Sequence, residues 1–83
     1  MELEFRESAF RHHKSEADIR RAFMSTCYDG PIEDDSGENN RFLRLGFDTS
    51  GNLLEIMYNE YGSRACIFHA MNCRRIFFSL LEV

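Results

Sequence analysis

The sequence predicts an α+β domain, with N-terminal helices and a C-terminal helix packed on an antiparallel meander sheet of three to four strands. Two observations carry that prediction. Apolar residues recur at helical spacing before residue 27 and after residue 72, whereas between Arg41 and Met71 they alternate. The alternating run is also cut twice by short glycine-bearing segments, Thr49-Ser50-Gly51-Asn52 and Tyr61-Gly62-Ser63, as hairpins require. All 83 residues form one domain, 1–83, since no repeat, low-complexity tract or linker divides them.

Residues 2–6 read as a short edge strand and Glu7 to His13 as a short helix. Ser15 is placed as an N-cap, with Glu16 and Asp18 in the first turn and Asp18 at the capping-box position. Ile19, Ala22, Phe23 and Thr26 give that helix its apolar stripe, and it is expected to end near Ser25 or Thr26. Cys27 to Asp35 contains Gly30-Pro31, and a proline confines a strand to a sheet edge. Ser36 to Asn40 is a loop. Arg41–Asp48, Leu53–Glu60 and Arg64–Met71 are the central strands. Asn72 is expected to cap a last helix that turns Ile76, Phe77, Leu80 and Leu81 inward.

The loop lengths fix an expected register. A four-residue first loop makes Asp48 face Leu53, so Phe47, Leu45 and Leu43 pair with Leu54, Ile56 and Tyr58. A three-residue second loop makes Glu60 face Arg64, so Tyr58, Ile56 and Leu54 pair with Cys66, Phe68 and Ala70. One face is then apolar throughout, for the helix from Ser15 to cover. The other, open face carries Glu55 opposite His69, with Gly46 leaving space above them and Arg44, Phe42, Met57 and Ile67 around them. A carboxylate beside an imidazole, with an arginine in reach, is an acid/base arrangement. A plain cross-strand ion pair is the structural alternative.

Two basic clusters flank these strands. Arg74 and Arg75 fall in the first turn of the last helix, where cations oppose the macrodipole at roughly 0.3–1 kcal/mol each. A phosphate or a partner carboxylate between them would account for their position. His12-His13-Lys14 forms the second cluster, just ahead of Ser15.

The net charge of −4 argues against nucleic-acid binding until its distribution is considered. Asp29, Glu33, Asp34, Asp35 and Glu38 supply five of the 14 acids in a stretch without Lys or Arg. The remaining nine face ten basic residues, which allows an anion-binding face beside an acidic edge. Cys27, Cys66 and Cys73 are odd in number and lack paired spacing, so they are expected as buried or half-buried free thiols in a reducing compartment. Zinc held by these cysteines with His12, His13 and His69 is the weaker alternative, because the ligands are scattered. The N-terminus lacks the basic start and apolar stretch of a signal peptide, and no apolar run approaches the roughly 20 residues of a membrane span. The expected location is cytoplasmic.

Three segments resemble BrnT-like toxins of the RelE superfamily, from bacterial type II toxin–antitoxin systems. They are Ala9-Phe10-Arg11-His12 followed by Ser15-Glu16-Ala17-Asp18-Ile19, Leu43-Arg44-Leu45-Gly46 through Gly51-Asn52-Leu53-Leu54-Glu55-Ile56, and His69-Ala70-Met71-Asn72-Cys73-Arg74. They span nearly the whole chain in the family's order. The resemblance implies an mRNA endonuclease that inhibits translation, acting on RNA free or on the ribosome and held inactive by a cognate DNA-binding antitoxin. It needs neither metal nor cofactor. Carried over by position, His12, Glu55, His69 and Arg74 are the catalytic candidates. His69 would act as base or acid tuned by Glu55, His12 as its complement, and Arg74 on the phosphate. Arg44, Arg75 and His13 would assist in holding phosphate, and Phe42 would stack on a base. On this reading the fold should tolerate His69→Gln and Arg74→Ala. A non-catalytic protein-interaction domain on the same fold is the alternative.

Overall fold

A computed structural model describes residues 1–81 as an α+β fold with a five-stranded sheet in the order β1-β5-β4-β3-β2. The strands are β1 (Glu2–Phe5), β2 (Thr26–Pro31), β3 (Arg41–Phe47), β4 (Leu53–Tyr61) and β5 (Arg64–Asn72). A 3₁₀ turn (Glu7–Phe10) and helix α1 (Glu16–Met24) lie between β1 and β2, and a 3₁₀ helix (Arg75–Leu81) follows β5. The sheet is mixed rather than a pure meander, because β1 runs parallel to β5, from Glu2 opposite Arg64 to Phe5 opposite Ile67. β1 and β2 occupy the two edges, and Pro31 ends β2, where an edge strand can accommodate it.

Helix α1 starts where its cap requires. The Asp18 backbone N–H donates to Ser15 Oγ at 3.1 Å, and the Asp18 carboxylate accepts from the Thr49 hydroxyl, tying the helix start to the β3–β4 loop. Nine residues are too few for a helix to stand alone in water. What holds α1 is burial of Ile19, Ala22 and Phe23 against Leu54, Ile56, Tyr58, Ala65, Ile67 and Ala70. Each large side chain so buried contributes about 1.5–3 kcal/mol.

Both hairpin registers differ from those expected. In the first, Asp48 belongs to the loop. Its carboxylate accepts from the backbone N–H of Ser50 at 2.9 Å and of Asn52 at 2.8 Å, so the strands close at Phe47 opposite Leu53. That one-residue shift turns β3 over relative to β4. Leu43 and Leu45 therefore share the face of Glu55, and Phe42, Arg44 and Gly46 lie on the α1 face. In the second hairpin, Tyr61 faces Arg64 across a tight turn with Gly62 at φ +61°. A bulge then shifts the pairing again, between Tyr58 opposite Ile67 and Met57 opposite His69, with Phe68 as the extra residue. The two displacements together amount to two residues. Side-chain direction repeats every two, so Glu55 and His69 stay on one face although Glu55 sits opposite Met71.

The face of Glu55 is also not open. The last segment crosses it, and Phe77 and Leu80 line a groove of about 300 Å³ with Leu43, Met57, Tyr28, Pro31 and Ile32. That segment is a 3₁₀ helix of seven residues, and Asn72, the expected cap, is the final residue of β5. Ile76 is 70% exposed and Leu80 37%, so the expected inward stripe is only partly met. All three cysteines are free; Cys66 and Cys73 are half-buried as expected, whereas Cys27 is exposed on the bulged edge strand β2.

Candidate functional site

Glu55 sits in β4, between β3 and β5, with no exposed surface. A buried carboxylate requires partners, and Glu55 has them on both oxygens. Arg74 donates its backbone N–H to Oε1 at 2.8 Å, its Nε to Oε1 at 3.0 Å and its Nη2 to Oε2 at 2.7 Å. His69 Nε2 lies 2.9 Å from Oε2. Burial by itself would raise the pKa of Glu55. The Arg74 side chain and backbone, followed by His69, outweigh it and hold the carboxyl below its usual range. Of the two arginines expected to hold a phosphate or a partner carboxylate between them, Glu55 engages Arg74 alone within the chain. Arg75 is exposed and makes no ion pair among the described residues.

His12 joins this group from the other end of the chain. After β1 the chain is pinned along β5: Arg6 N donates to the Ile67 carbonyl at 2.8 Å and Ser8 Oγ to the Phe68 carbonyl at 2.7 Å. The 3₁₀ turn that follows delivers the exposed His12 ring edge-on to His69, centroids 5.5 Å apart and planes at 77°. His13, exposed and with φ +66°, lies where the chain turns toward α1, and its side chain makes no hydrogen bond or ion pair among the described residues. All four predicted catalytic candidates, His12, Glu55, His69 and Arg74, are therefore together. They come from the N-terminal turn, β4, β5 and the start of the last segment.

Arg44 and Phe42 are not with them. Arg44 lies on the α1 side, its guanidinium 3.7 Å from the Phe23 ring centroid, bonded to Asp29 Oδ2 at 2.6 Å and to the Phe23 carbonyl at 2.9 Å. Tyr58 completes this clasp by donating its hydroxyl to Asp29 at 2.8 Å; burial first, and then Asp29, push its pKa up to about 12. Phe42 stacks on Tyr58 at 5.6 Å and is half-buried, unavailable as a free stacking platform. Gly46 likewise serves α1 rather than the site. A Cβ there would overlap the Ala22 carbonyl oxygen and stand 2.8 Å from that of Ser25.

Four polar atoms of the cluster remain unengaged among the described residues: Arg74 Nη1, His69 Nδ1 and the two ring nitrogens of His12. Arg74 is 48% exposed and His69 21%, so the cluster has a buried floor and an open rim. Such a rim can bind an anion and move protons. Burial, and then the charge of Glu55, raise the pKa of Cys73 and disfavour its thiolate. Among the described residues, no three His, Cys, Asp or Glu side chains are placed to hold a metal ion, and no helix is long and apolar enough to cross a membrane. Neither a model of a known protein family nor a curated protein matches this chain.

Proposed function

We propose that this chain is an RNA-cleaving toxin of the BrnT-like kind within the RelE superfamily. It would act on mRNA in the cytoplasm and be restrained by a cognate DNA-binding antitoxin. The observation that carries the reading is the convergence of His12, His69 and Arg74 at one rim, with the two rings 5.5 Å apart. Metal-independent RNA cleavage needs those three functions. One imidazole takes the proton of the ribose 2′-OH as that oxygen attacks phosphorus. The other gives a proton to the departing 5′-oxygen, and a guanidinium holds the charge on the phosphoryl oxygens. The products are a 2′,3′-cyclic phosphate and a 5′-hydroxyl, and DNA, which has no 2′-OH, is not cut.

Expression in bacteria tests this reading. The unmodified chain should arrest growth, and His69→Gln should relieve the arrest while its melting curve stays close to that of the parent. Gln retains a donor for Glu55, so fold and activity separate in this variant. Arrest that persists in both His12→Gln and His69→Gln rules the site out.

The second reading, a protein-interaction domain, is favoured by one observation. Ile76, Phe78 and Leu80 are 70%, 48% and 37% exposed on a single short segment beside the 300 Å³ groove. A chain that binds a partner protein tightly but neither arrests growth nor cuts RNA would establish that reading instead.

A further inference from the structure

We infer that Glu55 is a positioning residue that moves no proton, and that His69 meets its substrate through Nδ1. The inference rests on the RNA-cleavage reading for its consequence, but its geometry stands on hydrogen bonds alone. Glu55 is fully buried and both of its oxygens are engaged, by Arg74 at 2.7–3.1 Å and by His69 at 2.9 Å. No substrate atom can approach either oxygen without displacing Arg74. An ionised carboxylate oxygen only accepts, and Arg74 supplies no acceptor, so the proton between Glu55 and His69 belongs to Nε2. The one nitrogen of His69 left to accept or deliver a proton is then Nδ1. Among the described residues it has no partner, and it is not sealed from solvent. The groups facing His69 are Glu55 from β4, Arg74 from the start of the last segment and His12 from the N-terminal turn. Of these, only Glu55 is an acceptor that holds the ring in place.

Glu55 thereby does two things with one charge. It fixes the ring so that Nδ1 faces the rim, and it fixes the Arg74 guanidinium with Nη1 left for a phosphoryl oxygen. Base and cation are held in a constant relation, which is what orientation contributes to a rate. The proton balance of the proposed reaction is unchanged, because the 2′-OH proton passes to one imidazole and the 5′-oxygen receives one from the other. Glu55 stays ionised throughout.

Two measurements on the full chain decide this. Nitrogen-15 NMR of the imidazole rings reads the tautomers directly, with exposed His13 as the internal reference. Neutral His69 should be wholly Nε2–H, its proton on acidification arriving at Nδ1, while His13 shows the mixture of an unconstrained ring. A His69 that carries its hydrogen on Nδ1, or a mixture like that of His13, overturns the inference. Cleavage of a quenched fluorescent oligoribonucleotide is the second measurement. Glu55→Gln should lower kcat at least tenfold with KM nearly unchanged, and both limbs of the pH profile should persist. Loss of one limb in Glu55→Gln would make Glu55 a proton-transfer group and overturn the inference. If Glu55→Gln does not fold, the tautomer of His69 in the unmodified chain decides alone. A chain that cuts no RNA refutes the proposed function, and the NMR result still tells whether Glu55 sets the ring.

Discussion

At Glu55 a single carboxylate is withdrawn from water and joined to His69 and Arg74. Its interactions with Arg74 and His69 close the last segment onto β4 and β5. This alters the expectation for Arg74. Read as a cation opposing a helix dipole, it should be dispensable, but it satisfies a carboxylate with no exposed surface. Arg74→Ala should therefore lower stability by about 1–3 kcal/mol, since removing one partner leaves a buried acceptor unsatisfied. Urea titration measures that loss. Its pH dependence has a definite sign. The pKa of Glu55 is lowered in the folded chain from an ordinary 4.5, so its stabilisation is present above that value and fades as pH falls through the depressed folded value. The gap between parent and Arg74→Ala should be widest near neutrality and should narrow as acid protonates Glu55. A gap that is constant or widens in acid would mean Arg74 acts on something other than Glu55.

The elements show how much of this was legible in the sequence, and why some was not. Strand and helix positions followed from periodicity, and α1 began where Ser15 and Asp18 said it should. Pairing of Glu55 with His69 was also anticipated, although by a register wrong in both hairpins. The first error has a readable cause. Asp48 before Thr49-Ser50-Gly51-Asn52 is a residue that folds its side chain back onto the loop, as its bonds to Ser50 and Asn52 show. Counting it as loop would have placed Leu43 and Leu45 with Glu55 and sent Arg44 and Gly46 to α1. The bulge at Phe68 left no signal, because nothing local distinguishes it from its neighbours. Misplacing Arg44 and Phe42 was the direct cost. The last segment, with two Phe and two Leu among its seven residues, is too short to gain much from α-helical nucleation and forms a 3₁₀ helix. Two substitutions test these placements by thermal or urea unfolding. Gly46→Ala should destabilise by about 1–3 kcal/mol, because its methyl group meets fixed backbone carbonyls of α1. Asp48→Ala should cost about 1–2 kcal/mol through two orphaned loop amides. A neutral Gly46→Ala would place β3 back on the other face.

Across the whole molecule acids gather at one edge of the sheet, although Arg41 and Arg44 pair with Asp34, Glu38 and Asp29 there and Glu2, Glu4 and Glu7 lie at the opposite edge. Asp29, Glu33, Asp34, Asp35 and Glu38 belong to β2 and the loop after it, at one edge; Arg11, His12, His13 and Lys14 follow β1, at the other. Arg74 and Arg75 continue the basic side from the end of β5. The net charge of −4 is thus an average over a surface that carries both signs. Binding of a non-cleavable 2′-O-methyl oligonucleotide should weaken steeply with added salt, as phosphate contacts do. The most direct measurement is of the ends left on RNA. An oligoribonucleotide incubated with the purified chain in excess chelator should yield 2′,3′-cyclic phosphate and 5′-hydroxyl termini. His69→Gln, folded by its melting curve, should reduce their formation about 10²–10⁴-fold. Intact RNA with the unmodified chain, or the same termini at an undiminished rate with His69→Gln, would contradict the assignment of His12, His69 and Arg74 as an RNA-cleaving site.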